Sequence, residues 1–242
     1  YGAGGSTRER THDLVVRLVD SPLLPLAHLT CAAHHRDELV ALMQRYRGAG
    51  VGNLLALHGH PPLSATQAWP EADLRYAAEL VHLARELGFP CIGVAVHPEG
   101  HPAAESRDAD WRHQAAKLRE ADFGLTQLCH RAHDYFALVE RLAARGATAP
   151  IVPGVMPITN VRQVERMAAM SGTNIPLELA ERLQSVADRP EEVRRIGVEH
   201  ATLLCQELLR GGAPGLHFYT MNRAAATLEV CANLGWETAR AT

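Results

Sequence analysis

The sequence predicts an α/β fold, read as six consecutive units of a (β/α)₈ TIM barrel whose first two strands lie upstream of Tyr1. Three observations predict it. Short apolar runs alternate strictly with longer stretches of helical periodicity, the pattern of a parallel sheet with helical crossovers. No linker-like or low-complexity stretch divides residues 1–242, so a single domain is expected. The chain opens at Tyr1-Gly2-Ala3-Gly4-Gly5, which reads as a loop already under way rather than a start. Six units alone could also form an open doubly wound sheet; the fragment-like opening favours the barrel. Two further βα units at roughly 30 residues each would place about 50 to 60 residues ahead of Tyr1.

The elements follow in order. Arg8 to Val19 reads as a helix and Leu26 to Thr30 as a strand. Asp37 to Arg47 carries Leu39, Val40, Leu42, Met43 and Tyr46 at helical spacing, with Gly48 and Gly50 to end it. Val51 to Leu57 is a buried strand. A helix from about Glu71 to Leu87 follows, with Gly88 just past its end. Cys91 to Val96 is a strand, then Asp108 to Ala121 a helix. Phe123 to Leu128 and His133 to Arg145 form the next strand and helix. Ile151 to Val155 is a strand interrupted by Pro153 and Gly154. Val161 to Arg210 is helical, broken near Pro176 and Pro190. Gly215 to Thr220 is the last strand and Asn222 to Leu234 the last helix.

Composition excludes several classes. A net charge of −3 gives no electrostatic reason to expect nucleic acid or an acidic membrane surface. No apolar run approaches the roughly 20 residues that span a bilayer. Five scattered cysteines form neither a disulfide framework nor a CxxC pair, which points to reduced thiols in the cytoplasm. Oligomeric state is not readable.

In a parallel barrel the site is built at the C-terminal ends of the strands. Those ends hold His28, His58, His60, His97, His101, His130 and His217, half of the 14 histidines. Thr30, Gln127, Tyr219, Asn222 and Arg223 share them. A lone histidine at a strand end is usually structural; seven together favour a polar site. Neutral imidazoles could bind a metal, with His58-Gly59-His60 as the tempting pair. Metal-dependent barrel hydrolases also need a late carboxylate ligand, whereas the last strand end offers His217, Tyr219 and Asn222, so no metal is expected. The other chemistry is binding of a planar polar heterocycle. Gln127 suits it, because an amide sets donor and acceptor side by side. The Gly2 to Ser6 run could cradle an anion or simply be a tight loop. Tyr76, Leu80 and Leu83 read as helix packing. Glu191, Glu192, Arg194 and Arg195 read as a solvated helix face.

Taken in order, these segments resemble methylenetetrahydrofolate reductases across essentially the whole chain. The resemblance is carried by Tyr1 to Thr11, His28-Leu29-Thr30-Cys31, Asn53 to Leu57 with Gly59 and Pro61, and Pro98-Glu99-Gly100-His101-Pro102. Thr126-Gln127, Ile151 to Asn160, and His217 to Arg223 complete it. It implies reduction of 5,10-methylenetetrahydrofolate to 5-methyltetrahydrofolate, with folate and a nicotinamide nucleotide as partners. In the family, nicotinamide reduces a bound FAD, which passes hydride to the folate. The resemblance assigns Gln127, His60 and Tyr219 to substrate. It assigns His28, His58, Gly59, His60, Tyr76, Ala77, His97, His101, Asp110 and Lys117 to the cofactor. The family acid belongs to a first strand absent from these residues, and Glu99 is a possible auxiliary.

Departures gather at the flavin. The family's Leu-Arg-Gly-Asp run is Leu57-His58-Gly59-His60, and the tyrosine before Pro-Glu is His97. On the helix before Gln127, Asp110 and His113 are followed by Ala116 and Lys117, or by Ala115 and Ala116 without a one-residue deletion. Either way an arginine that forks onto an anion is gone. These changes predict hydride passed directly from NADH, with FAD bound weakly or not at all; histidines holding FAD in an altered way is the alternative. No arginine cluster for a 2′-phosphate is evident, which leans to NADH over NADPH. A non-catalytic folate- or nucleotide-binding barrel is the competing function, and a metal hydrolase the third.

Overall fold

The computed structural model describes residues 8–31, 34–59, 73–102 and 104–236. The elements are α1 (Arg8–Leu18), β1 (Leu26–Thr30), α2 (Arg36–Gly48), β2 (Asn53–Leu57), α3 (Ala77–Glu86), β3 (Cys91–Val96) and α4 (Arg107–Arg119). They continue as β4 (Phe123–Leu128), α5 (Ala132–Ala143), β5 (Ile151–Val155), α6 (Val161–Ser171), α7 (Leu177–Gln184), α8 (Pro190–Arg210), β6 (His217–Phe218) and α9 (Ala225–Asn233). The strands follow one another through a six-stranded sheet in chain order. A doubly wound sheet reverses its strand order at a switch point, and this one does not. The order is that of successive βα units in a barrel.

The chain divides into two compact units, residues 1–95 with 116–124, and residues 96–115 with 125–242. In the first, β1 and β2 pair in parallel from Leu26↔Asn53 to Thr30↔Leu57, and β2 pairs with β3 from Asn53↔Cys91. Leu29, Leu54 and Ile92 of these strands are fully buried, as are Leu39, Met43 and Tyr46 of α2 and Leu80 and Val81 of α3. Truncating any such leucine to alanine costs about 2–5 kcal/mol. Helix α2 begins where Glu38 accepts the His35 N–H at 3.1 Å, and carries Arg45 and Arg47 in its last turn, matching the helix dipole. Gly50, at φ 88°, turns the chain out of it. Val51 was expected in β2, but its N–H bonds back to Tyr46 O at 2.9 Å, so pairing starts at Asn53. Asp122 accepts the Ile92 N–H at 2.6 Å and pairs with Arg85 at 2.8 Å. Gly93 leaves room for Phe123, whose ring a Cβ would meet at 2.3 Å.

In the second unit β5 pairs with β6 in parallel, Gly154↔His217 and Val155↔Phe218. Its core joins Leu128, Met156, Ile158, Val164, Leu179, Leu183 and Ile196. Asn160 caps α6, its side chain accepting the Gln163 N–H at 2.9 Å. Gly172 closes that helix in the left-handed conformation, φ 67°. The break at Pro176 falls just ahead of α7, and Pro190 opens α8. Gly197 lets α8 pack on Ile158, whose carbonyl oxygen a Cβ would meet at 1.9 Å.

Other expected boundaries moved as well. The last strand is only His217–Phe218, although the Tyr219 N–H extends its ladder to Val155 O at 2.9 Å. The last helix starts at Ala225, because Met221 and Asn222 sit at φ 50° and 58° in a left-handed turn that no helix contains. Helix α3 starts at Ala77, where Glu79 accepts the N–H groups of Arg75 and Tyr76 at 2.6 and 2.7 Å. The expected start at Glu71 lies outside the described residues. Leu80 and Leu83 are buried as expected, but Tyr76 is exposed, standing ahead of the helix.

Candidate functional site

The site builds up from the ends of β4, β5 and β6 in the second unit. Thr126, near the end of β4, is fully buried. Its hydroxyl accepts the Gly154 N–H of β5 at 2.8 Å, and its carbonyl oxygen accepts the Tyr219 hydroxyl at 2.9 Å. The Tyr219 ring passes over Gly154, where a Cβ would lie 2.6 Å from Tyr219 Cε2 and 2.6 Å from Thr126 O. The missing side chain at Gly154 is thus the space that admits the ring. His217 meets Tyr219 edge to face, centroids 4.9 Å apart. Burial raises the Tyr219 phenol and lowers the His217 imidazole, so both favour their neutral forms.

Gln127 follows on the opposite face of β4 and is half-buried. Its Oε1 accepts the Ser171 hydroxyl at 3.5 Å. Its amide nitrogen donates to none of the described residues in any bond of this network. Beyond β5 and β6 lies a cavity of about 440 Å³, bounded by Ile158, Asn160, Arg194, Tyr219, Met221 and Arg223 among others. Arg194 is paired with Glu229 at 2.5 Å; Arg223 is exposed and forms no ion pair among the described residues. The cavity itself is lined by the Asn160 amide, the Tyr219 edge and the Arg223 guanidinium, and Gln127 is not among its lining residues.

The β3–α4 loop is built differently. Asp110 and Gln114 lie one turn apart on α4 and are both buried. Gln114 accepts the His97 N–H at 2.6 Å, donates to His97 O at 3.3 Å, and donates to Asp110 Oδ2 at 2.5 Å. The same Asp110 oxygen accepts the His101 N–H at 3.0 Å. His97 and His101 meet ring to ring at 4.7 Å. The carboxylate expected to serve a cofactor is therefore engaged with the protein's own backbone. Glu99, the possible auxiliary acid, accepts the Asn174 N–H at 2.8 Å on one oxygen and the Asn174 side-chain amide on the other. On α4 of this unit, His113 is exposed and Ala115 fully buried. The side chains of Asp110 and Gln114 are turned inward to hold the loop and offer no permanent cation to a flavin diphosphate.

The first unit carries the rest of the expected cofactor set. His28 on β1 and His58 after β2 are exposed, and the His58 carbonyl accepts the Cys31 thiol at 3.5 Å. Gly59 has φ 90°. Tyr76 is exposed, Ala77 is buried at the head of α3, and Lys117 on α4 is half-buried. His60 lies outside the described residues. His130, expected among the polar strand ends, is instead buried; burial, with His200 nearby, pushes its imidazole down to about 4. It belongs to the packing beneath α8. Among the described residues no three histidine, cysteine or acidic side chains converge as metal ligands. None of the described helices is long and apolar enough to cross a membrane. Sequence reasoning missed Gln114, Ser171 and Asn174; only the four-residue spacing of Asp110 and Gln114 hinted that both serve one surface.

Fold and site together define a parallel α/β protein with amide, phenol and guanidinium groups near its strand ends. Comparison with known proteins makes the class specific. The family described as methylenetetrahydrofolate reductase matches residues 1–235. The 5,10-methylenetetrahydrofolate reductase of Pectobacterium carotovorum subsp. carotovorum is 33% identical over 237 residues, covering 97% of this chain and 78% of that protein. That of Escherichia coli K12 is 32% identical over the same shares. Methylenetetrahydrofolate reductase 1 of Schizosaccharomyces pombe is 36% identical over 239 residues, but the match spans only 40% of its length. The chain belongs to the methylenetetrahydrofolate reductase family. A solved protein from Clostridium thermocellum, described as binding two copies of 5-methyl-5,6,7,8-tetrahydrofolic acid, shares the fold. Its TM-score is 0.57 at 11% identity, over 96% of this chain and 91% of that one.

Proposed function

We propose that this chain reduces 5,10-methylenetetrahydrofolate to 5-methyltetrahydrofolate with hydride taken directly from NADH, without tightly bound FAD. The six units are read as part of an eight-unit barrel. The observation that carries the proposal is the contrast within the second unit. The Gln127 amide nitrogen has no hydrogen-bond partner among the described residues, whereas Asp110 is committed to the His97–His101 loop. Family membership and the folate named for the Clostridium thermocellum protein support the substrate.

The chemistry needs little from the protein beyond placement. Protonation at N10 opens the methylene bridge to an N5 iminium. Hydride from the nicotinamide then attacks that carbon, giving the methyl group and oxidised nicotinamide. One proton and one hydride are consumed per turnover. Gln127 would hold the pterin edge, and the cavity by Tyr219 would take the p-aminobenzoyl-glutamate portion, with Arg223 meeting a carboxylate. Fixing two planar rings face to face supplies the orientation that direct hydride transfer requires. The neutral Tyr219 adds no charge to its part of the cavity wall, beside a neutral ring. Plant relatives named as NADH-dependent support the choice of donor. The test is oxidation of NADH by full-length protein, followed at 340 nm in the presence and absence of methylenetetrahydrofolate. Folate-dependent turnover is expected; its absence at saturating NADH contradicts the proposal.

A further inference from the structure

The turn between α6 and α7 is held against the β3–α4 loop from two directions. Asn174 gives its backbone N–H and its side-chain amide to the two carboxylate oxygens of Glu99. Gly172 abuts the same loop, where a Cβ would lie 3.0 Å from Pro102 Cδ and 3.4 Å from Gly100 O. One residue earlier, Ser171 is 6% exposed, and its hydroxyl points at Gln127 Oε1. An amide side chain has two ends of opposite hydrogen-bonding sense, and rotation by half a turn exchanges them. The Ser171 hydroxyl, which can donate to Oε1 or accept from the NH₂ group, ties the amide to α6 and fixes its position.

We propose that Glu99 and Ser171 are positioning residues for Gln127. Glu99 seats the turn, and Ser171 ties the Gln127 amide to it, so that the amide is held in one place to meet the edge of the bound ring. This rests on the folate reading above. It also gives Glu99 a task other than proton donation, since each of its oxygens already accepts a hydrogen bond from Asn174.

The experiment is calorimetric titration of full-length protein with 5-methyltetrahydrofolate, paired with kcat and its pH profile. Losing one orienting hydrogen bond corresponds to a weakening of about five- to tenfold. Ser171→Ala and Glu99→Ala should each show it. Ser171→Thr keeps the hydroxyl, and Glu99→Gln keeps an acceptor for the Asn174 N–H, so both should recover most of the affinity. In a Gln127→Ala background, Ser171→Ala should have no further effect, because nothing is left to orient; a general loss of packing would instead add. Unfolding midpoints of each variant separate misfolding from misplacement. Additive losses, or unchanged affinity in Ser171→Ala, overturn the inference. So does a Glu99→Gln variant as inactive as Glu99→Ala with an altered pH profile, which would make Glu99 the acid. Wild-type protein that does not bind 5-methyltetrahydrofolate removes the folate reading itself, and this inference with it.

Discussion

The end of β4 and the β3–α4 loop lie in the same unit, and both are rich in polar side chains, yet they use them in opposite ways. At β4 the polar atoms lead outward to Tyr219, which lines the cavity. Thr126 satisfies Gly154 and Tyr219, Ser171 takes one end of Gln127, and the other end has no partner among the described residues. At the loop the polar atoms close on themselves, Gln114 and Asp110 bonding His97 and His101 through the backbone. The difference teaches that residue type alone does not make a ligand site. A buried carboxylate is a ligand only when its own chain does not already need it.

The comparison can be broken most sharply at Gly154. A methyl group there collides with a carbonyl oxygen and the Tyr219 ring. Gly154→Ala should destabilise the fold by about 3 kcal/mol, the upper range for overpacking, and displace Tyr219, as read by urea unfolding. Next, Gln127→Ala should weaken 5-methyltetrahydrofolate binding by about 1–3 kcal/mol while leaving the unfolding midpoint in place. Asp110→Asn should do neither. Its amide oxygen can still accept the His101 N–H, so the expected cost is about 1 kcal/mol of stability or less, with KM for NADH within about twofold of wild type. A large rise in that KM would restore Asp110 to cofactor binding.

A further effect is pH-dependent. Burial holds His130 at about 4 and lowers His200 as well. The unfolded chain therefore binds protons that the folded chain refuses as pH falls below about 6.5. Their contribution to stability is complete above that pH and is lost as pH falls toward 4. Between pH 7 and pH 5, His130 alone should cost about 2 kcal/mol, visible as a lower urea midpoint. Tyr219→Phe removes one hydrogen bond to Thr126 O and should cost about 1 kcal/mol.

Much of the fold was legible because the sequence punctuates it. Pro25, Pro90 and Pro150 stand directly before β1, β3 and β5, and all three strands begin and end where their apolar runs do. Strand β6 and the head of α9 were not legible. The left-handed Met221 and Asn222 carry no glycine to announce the turn. In the site, Gln127 was legible as a polar residue closing an apolar run. The clamps were not, since Gln114 lies 17 residues from His97, Ser171 lies 44 from Gln127, and Asn174 lies 75 from Glu99. Such pairings are set by packing of whole elements, which no local pattern encodes. His130 misled for the same reason: a histidine after a strand looks like site chemistry until α8 is seen to cover it.

The central claim is that this member of the family works without a resident flavin. The direct measurement is the visible spectrum of the purified full-length protein, followed by its rate of methylenetetrahydrofolate reduction with NADH, with and without added FAD. A colourless protein with the same rate in both conditions is predicted. Stoichiometric FAD absorbing near 450 nm, or turnover that appears only when FAD is added, would contradict it.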